Sequence, residues 1–313
     1  MTTEHVTNHV PREVIIFFFF ICGASCHLIV FFFSLADKHE HGNMLLVTRY
    51  VDAIFANLRK SEKAKHSPEL SNYMEHQYDL QPQMRAILVD WLVEVSEEYR
   101  LSSETLFLTV NYIDRYLDRA HVPKSQLQLV GITCMLIAAK YEEIYAPQVE
   151  DFCFITDNTY SRQEVLDMEV HVLGTLTFDL SPPTARGFLR RFLRAAEADA
   201  TLDYLASYLC ELSLIEHSML RFEPSRVAAA AVMLALHTLN RVHWSSTLVH
   251  YTTFTPSDLQ ECVTQLHAVY GAVRLPNALP AIKEKYAAPR FKCVAQLVHP
   301  HTLSPQLFEE ESP

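Results

Sequence analysis

The residue types that most often carry catalysis form no recognisable catalytic motif in this chain of 313 residues. Glu142 and Glu143 are adjacent, and neighbouring side chains on a helix point about 100° apart, which does not suit a cooperating acid–base pair. The 16 histidines are scattered, and none belongs to a nucleophile motif with a serine or a cysteine. Neither G-x-G-x-x-G nor a P-loop occurs. The sequence therefore predicts a protein that is not an enzyme.

The cysteines do not indicate a metal site or a set of disulfides. Seven are present, an odd number, and no C-x-x-C pair occurs among them. We therefore expect no metal, no cofactor and a reducing compartment. Cys134 lies in an apolar helix, where a small core side chain is a more common role than a nucleophile.

Four charged residues lie in or beside apolar stretches, where they could bind a partner or another part of the chain. An unpaired charge is costly to bury, so Arg85 and Asp114 are predicted to form a partly buried, structural ion pair between the first two helices. Lys140 follows an apolar run near a helix C-terminus, where a lysine complements the helix dipole. Glu169, taken alone, fits a solvated or internally paired carboxylate. Singly, neither indicates a binding site.

The helix around residues 84–99 has more apolar surface than a single core requires. At about 100° per residue, its apolar side chains cover roughly 240° of the circumference, whereas an ordinary surface helix has a stripe of about 100°. Part of this surface is therefore predicted to face something other than its own core. The apolar side chains are Met84, Ile87, Leu88, Val89, Trp91, Leu92, Val93 and Val95.

The composition favours helices and an acidic surface. Only 6 glycines occur, which argues against a strand-rich fold with many tight turns. The formal net charge is −11 with 26 Lys and Arg residues, so nucleic acid is not an expected partner. We expect no small-molecule substrate either.

Helix signals recur along the chain in two sets of five. Residues 44–59 are predicted to form a short helix, and the polar stretch 60–69 a linker. The first set runs from Pro82 to about Phe178. Ser181-Pro182-Pro183-Thr184 stops the chain and caps the next helix, which marks a boundary between two domains. The second set is predicted at about 184–198, 201–218, 224–239, 246–251 and 256–271.

The middle helices of the two sets are alike. Residues 127–141 and 227–239 are apolar on nearly all faces and rich in small side chains, as is typical of a helix surrounded by others. The predicted fold is all-α: two tandem five-helix bundles preceded by a short N-terminal helix. The expected segments are 1–43 (uncertain N-terminal segment), 44–80 (helix and linker), 81–180 (first bundle), 181–300 (second bundle) and 301–313 (tail).

The sequence Met84–Tyr99, the sequence Lys-Tyr-Glu-Glu from Lys140 and the spacing of the charged residues resemble the cyclin box of A-type cyclins, especially plant ones. Arg85, Asp114, Leu129, Lys140 and Glu169 match that pattern without an insertion, and the resemblance covers about residues 45–300. It implies a regulatory subunit that binds and allosterically activates a cyclin-dependent protein kinase and controls cell-cycle progression. It also implies a nuclear protein with a cytoplasmic pool, and structural roles for Arg85, Asp114 and Leu129.

The resemblance implies which residues contact the kinase, a PSTAIRE-type enzyme. In the family, the lysine and glutamate at the positions of Lys140 and Glu169 reach the kinase backbone around its C-helix. We expect both to pair with the partner rather than with their own domain. Neighbouring apolar side chains would pack on that helix; these are Ile137, Tyr141, Leu173, Phe178 and, from the N-terminal helix, Ile54.

A second surface implied by the resemblance is a groove that docks Arg-x-Leu motifs of substrates and inhibitors. Apolar side chains would take the leucine, and Glu94 would take the basic residue. A purely structural role remains open for Ile87 and Leu88, less so for Met84 and Trp91. Lys124 stands where related sequences often have arginine, which keeps the charge but loses the planar guanidinium. The groove residues are Met84, Ile87, Leu88, Trp91, Glu94, Leu127 and Gln128.

The N-terminal segment does not fit this family. Residues 14–35 lack Asp, Glu, Lys and Arg and are long enough to cross a bilayer. The segment could be a membrane anchor, an uncleaved signal-like segment or translated non-coding sequence from a wrongly predicted first exon, which we favour. Two other functions stay open: a membrane-anchored protein, if the segment is genuine, and a cyclin-fold transcription adaptor, which would need a basic surface.

Overall fold

The structure is a computed structural model, and it describes residues 50–241, 244–300 and 302–309. The apolar segment 14–35 and the predicted helix start at 44–49 lie outside the described residues. Within the described part of the chain, none of the helices is both long and apolar enough to cross a membrane.

The described residues form helices and turns that follow the predicted order. Helix α1 (Val51–Lys65) comes before two bundles. The first bundle contains α2 (Pro82–Glu98), α3 (Ser103–Leu117), α4 (Leu127–Glu142), α5 (Val149–Ile155) and α6 (Arg162–Thr175). The second contains α7 (Ala185–Ala195), α8 (Ala200–Ile215), α9 (Pro224–Thr238), α10 (Ser246–Thr252) and α11 (Pro256–Ala272). The all-α prediction with two five-helix bundles is confirmed.

Two nearly fully buried helices are the centres of the bundles. α4 packs against α2, α3, α5 and α6, and α9 packs against α7, α8 and α11. α2 and α4 approach closely at Gly131, where a Cβ atom would lie 2.7 Å from Cδ1 of Leu88. This contact places the Leu88 side chain in the core of the first bundle.

Several of the helices begin at a capping side chain. The Thr184 hydroxyl accepts a hydrogen bond from the Gly187 nitrogen at 3.1 Å and so starts α7 after the two prolines. Ser161 and Glu164 form a capping box at the start of α6. These local signals explain why the helix order could be inferred from sequence.

Helix α1 is longer than predicted. The chain was expected to become a linker at residue 60, yet α1 continues to Lys65 and a 3₁₀ helix (Pro68–His76) follows. The polar sequence was misleading because Glu62 is buried and bonds to the second bundle, with its Oε1 accepting from the Ser225 nitrogen at 2.6 Å. A tertiary contact therefore extends a helix that its own apolar pattern does not mark.

The chain also contains a helix that the sequence did not predict, α12 (Ala281–Ala287), which packs against α2 and α8. Its Lys285 donates to buried Glu211 at 2.9 Å, and the Tyr286 hydroxyl donates to the same carboxylate at 2.8 Å. These bonds fix the segment after the second bundle against α8.

Candidate partner-binding surfaces

Lys140 and Glu169 lie together on the outside of the first bundle. Lys140 is at the end of α4, Glu169 is on α6, and the Lys140 ammonium donates to Oε1 of Glu169 at 2.6 Å. The lysine side chain is 46% exposed and the glutamate side chain 15%. The expectation that neither pairs within its own domain is wrong for the free chain. Because the ammonium has more than one donor hydrogen and is accessible, the pair can still bind a further acceptor.

Exposed apolar side chains border this ion pair. Tyr141 follows Lys140 and is 50% exposed, and Val170 follows Glu169 and is 71% exposed. Leu173, one turn further along α6, is half-buried, whereas Ile137 is almost fully buried. Ile137 can therefore support this surface from below but offers little area to a partner.

Phe178 projects from the end of α6 in a conformation that non-glycine residues rarely adopt. Thr177 and Phe178 both have positive φ, 53° and 55°, and Phe178 is 70% exposed. The same conformation follows α2 at Arg100, so the exposure of Phe178, rather than its φ, is what favours contact with a partner. The next residue, Asp179, accepts from Lys65 at 2.5 Å, which fixes the end of α1 near Phe178.

Ile54 lies on α1 about three turns before Lys65 and is 45% exposed. It is the expected contact contributed by the N-terminal helix. Its neighbour Phe55 lies about 100° away around the helix and contacts the ring of Phe188 in the second bundle at a centroid distance of 6.2 Å.

Sequence reasoning missed several exposed apolar residues near the predicted ones. Ile144 and Tyr145 are 91% and 93% exposed in the loop after α4, and Phe154 on α5 is 71% exposed. A signal existed, because Ile144 and Tyr145 directly follow the sequence Lys-Tyr-Glu-Glu that was singled out. Large apolar side chains that are this exposed are candidates for contact with a partner.

Arg85 and Asp114 support the first bundle from inside. The Arg85 Nε and Nη2 atoms donate to the two carboxylate oxygens of Asp114 at 2.6 and 2.7 Å, and the Tyr73 hydroxyl donates to Asp114 at 2.8 Å. Burial lowers the pKa of Arg85, but the Asp114 carboxylate more than offsets it and holds the pKa above its usual range. Leu129 is also buried, in the core.

The predicted docking groove is divided between surface and core. Ile87 is 52% exposed, so the alternative of a core role does not hold for it, and Met84 and Trp91 are half-buried. Leu88 and Leu127 are only 6% exposed and can form no more than the floor of a groove. Glu94 is exposed and Gln128 half-buried. Lys124 is exposed in a 3₁₀ turn that leads into α4.

Glu143 and Cys134, two of the side chains considered for catalysis, have structural roles. Glu143 accepts from the Ser102 nitrogen at 2.7 Å and from the Thr105 hydroxyl at 2.5 Å, so it caps the start of α3. Cys134 is fully buried, and burial raises its thiol pKa well above the usual range. Among the described residues, no group of three or more His, Cys, Asp or Glu side chains is placed to hold a metal.

Comparison with known proteins gives matches over nearly the whole described region. Residues 53–181 match the family described as "Cyclin, N-terminal domain", and residues 183–300 match "Cyclin, C-terminal domain". A herpesvirus saimiri viral cyclin has the same fold, with a TM-score of 0.62, 21% identity, and coverage of 69% of this chain and 97% of that one. A chain of the yeast RNA polymerase II CTD kinase CTDK-1 complex aligns with a TM-score of 0.53 and 16% identity, over 80% of this chain and 85% of that one.

The sequence relatives are A-type cyclins. Cyclin-A1-3 of Oryza sativa subsp. japonica is 49% identical over 88% of this chain and 57% of its own length. Cyclin-A1-1 of Arabidopsis thaliana is 49% identical, with coverage of 86% and 60%, and the G2/mitotic-specific cyclin-A of Hydra viridissima is 49% identical, with coverage of 80% and 59%. The chain thus spans somewhat more than half the length of these curated relatives. Together, the two matched domains and these relatives show that the chain belongs to the cyclin family and is similar to its A-type members.

Proposed function

We propose that this chain is a non-catalytic regulatory subunit that binds and activates a cyclin-dependent protein kinase of the PSTAIRE type. The observation that carries the proposal is the Lys140–Glu169 pair bordered by exposed Tyr141 and Val170, with Phe178 beyond it. Membership of the cyclin family supports a kinase as the partner. Control of cell-cycle progression, in the nucleus with a cytoplasmic pool, is part of this proposal.

The mechanism that fits this surface is allosteric. An apolar face with a central ion pair can pack on a helix of the kinase and bond to the backbone groups around it. Such binding stabilises the kinase state in which the C-helix glutamate meets the strand lysine. The activation cannot exceed the ratio by which the chain binds the active state better than the inactive one.

A second surface supports docking of Arg-x-Leu segments from substrates and inhibitors. Ile87, Met84 and Trp91 present apolar area on α2, and exposed Glu94 on the same helix offers a carboxylate to a basic residue. This surface uses side chains separate from the proposed kinase contacts. The chain could then hold a kinase and its substrate at the same time.

The direct test measures kinase activity on a histone substrate with and without the purified chain. We expect the chain alone to have no kinase activity and a PSTAIRE-type kinase to become more active when it is added. Unchanged phosphorylation with several such kinases would contradict the proposal.

A charge exchange separates binding from folding. Lys140→Glu with Glu169→Lys keeps an ion pair within the chain, and the Lys140 side of the pair is 46% exposed, so the free energy of thermal unfolding should change by about 1 kcal/mol or less. Kinase binding should weaken by about 2 kcal/mol or more, because a lysine and a carboxylate would each meet groups of the wrong sign.

The matched control is the exposed pair of Arg162 and Glu150, which are 2.8 Å apart. Exchanging these two charges should leave both stability and kinase binding unchanged. If the Lys140 and Glu169 exchange lowers the melting temperature but the folded variant binds the kinase normally, the pair has a structural role.

A further inference from the structure

The N-terminal helix is attached to the second bundle by charged side chains that the proposed function has not used, among them Arg59 and Glu62. Glu62 is only 1% exposed, and its two oxygens accept from the nitrogen and the hydroxyl of Ser225 at 2.6 and 2.8 Å. Ser225 lies in the first turn of α9, where backbone N–H groups have no partner within the helix. Glu62 therefore caps a helix that begins 162 residues later in the chain, at Pro224.

Arg59 completes this attachment. Its Nη1 donates to the Ser225 hydroxyl at 2.7 Å, and its Nη2 donates to the carbonyl oxygen of Thr252 at the end of α10. The guanidinium carbon also lies 4.8 Å from the ring centroid of Phe254 and 5.4 Å from that of Phe188. One arginine thus contacts three elements of the second bundle.

The attachment fixes how α1 is rotated about its axis. Phe55, Arg59 and Glu62 are spaced four and three residues apart, which puts them within about 60° of one another on the helix. All three face the second bundle. Ile54 lies about 100° from Phe55, and its side chain is exposed.

We propose that Glu62 and Arg59 are positioning residues that hold α1 on the second bundle and thereby set Ile54 in place for the kinase. This inference rests on the proposed function. Because α1 is already ordered in the free chain, kinase binding does not incur the entropy cost of ordering this helix, and the affinity is not reduced by it. The second bundle thus takes part in kinase binding without touching the kinase at this point.

The first measurement is hydrogen exchange of the α1 amides in the free full-length chain. Glu62→Ala should speed exchange of residues 51–65 by about tenfold or more, the ratio expected when hydrogen bonds to a charged group are lost. Lys63→Ala, at an exposed position on the same helix, is the matched control and should leave exchange unchanged. Unchanged exchange in the Glu62 variant would overturn the inference.

The second measurement is a double-mutant cycle on kinase affinity. Glu62→Ala should raise the Kd by at least about threefold in the wild-type background and much less in an Ile54→Ala background, since a released helix no longer presents Ile54. Additive effects would mean that Glu62 has only a general structural role, and would overturn the positioning role.

Two further results keep the tests distinct. If Glu62→Ala unfolds, Ser225→Ala removes the hydroxyl shared by Arg59 and Glu62 while keeping the backbone donor, and it should give the same pattern with smaller changes. If wild-type chain binds no PSTAIRE-type kinase but Glu62→Ala still speeds exchange in α1, the proposed function and the positioning role both fail, and the attachment of α1 alone stands.

Discussion

Asp90 on α2 has a carboxylate in an unfavourable position. It is 6% exposed, and its Oδ1 accepts from the Ala281 nitrogen at 3.0 Å, so it caps α12. Burial and the nearby carboxylates of Glu94 and Glu284 raise the pKa of Asp90, and the Ala281 hydrogen bond lowers it; the net pKa is about 6. The folded state therefore favours the protonated form of Asp90 more than the unfolded state does.

Replacing Asp90 with asparagine should stabilise the chain near neutral pH. The folded pKa is above the unfolded value, so the contribution of Asp90 to stability is fully present below about pH 4 and is lost as the pH rises through about 6. Asparagine keeps an oxygen that can accept from Ala281 and removes the charge. We expect Asp90→Asn to raise the Tm at pH 7 by about 2–4 °C.

The pH dependence of the difference is the check on this prediction. Thermal unfolding of wild type and Asp90→Asn should be measured between pH 4 and 7, and the advantage of the variant should shrink as the pH falls. An advantage that grows towards low pH would show that the charge is favourable in the folded chain.

Residue types predicted some of the contacts and not others. The Arg85–Asp114 pair could be inferred because two charges in apolar sequence need one another. Arg85 also donates to the carbonyl oxygens of Leu214 and Ile215 at 2.7 and 3.2 Å, and no sequence pattern links positions that far apart. The same limit applies to Glu62, whose polar neighbours gave no sign that it is buried.

At the level of elements, the periodic spacing of apolar residues and the helix-capping residues predicted the helices of the two bundles. α12 was missed because seven residues with two lysines and a glutamate make a weak pattern, and its position depends on Asp90 and Glu211 in distant helices. For α2, the excess of apolar surface was correctly seen. Only packing shows that Leu88 points to Gly131 in the core whereas Ile87 points outward.

The outward face of α2 should bind Arg-x-Leu peptides. Met84 and Trp91 are seven residues apart, about 20° on the helix, so one short peptide can reach both. Met84→Ala with Trp91→Ala should weaken peptide binding by about 2 kcal/mol, since large apolar anchors dominate such interfaces. Titration of a labelled peptide measures the change, and kinase binding should persist.

Controls are needed because Met84 and Trp91 are half-buried. Ile87→Ala alters a side chain that is 52% exposed and should weaken peptide binding with little loss of stability, whereas Leu275→Ala, 64% exposed in the segment after α11, should change neither peptide binding nor stability. Equal peptide affinities in wild type, Ile87→Ala and the double variant would show that α2 is not the docking helix.

In the whole molecule, charged side chains of α1 and α2 complete helix ends of the second bundle and of α12. Glu62 caps the start of α9, Asp90 caps the start of α12, and Arg85 bonds to the last carbonyls of α8. The charge of each side chain is opposite to the partial charge of the helix end that it contacts: the carboxylates lie at N-termini and the guanidinium at a C-terminus. The described residues accordingly fall into one compact unit, although the sequence indicates two domains.

The two bundles should therefore unfold together. The chain has 2 tryptophans, Trp91 in the first bundle and Trp244 in the second, so Trp91→Phe and Trp244→Phe leave one fluorescent reporter in each bundle. Arg85→Met leaves Asp114 buried without its cation. Denaturant unfolding of the two single-tryptophan chains should therefore show the same loss in the free energy of unfolding, about 3–5 kcal/mol, with either reporter. The substitution lies in the first bundle, so a midpoint that shifts for Trp91 but not for Trp244 would mean that the bundles unfold separately. An equal shift for both reporters would show that Arg85 couples the stability of the first bundle to that of the second.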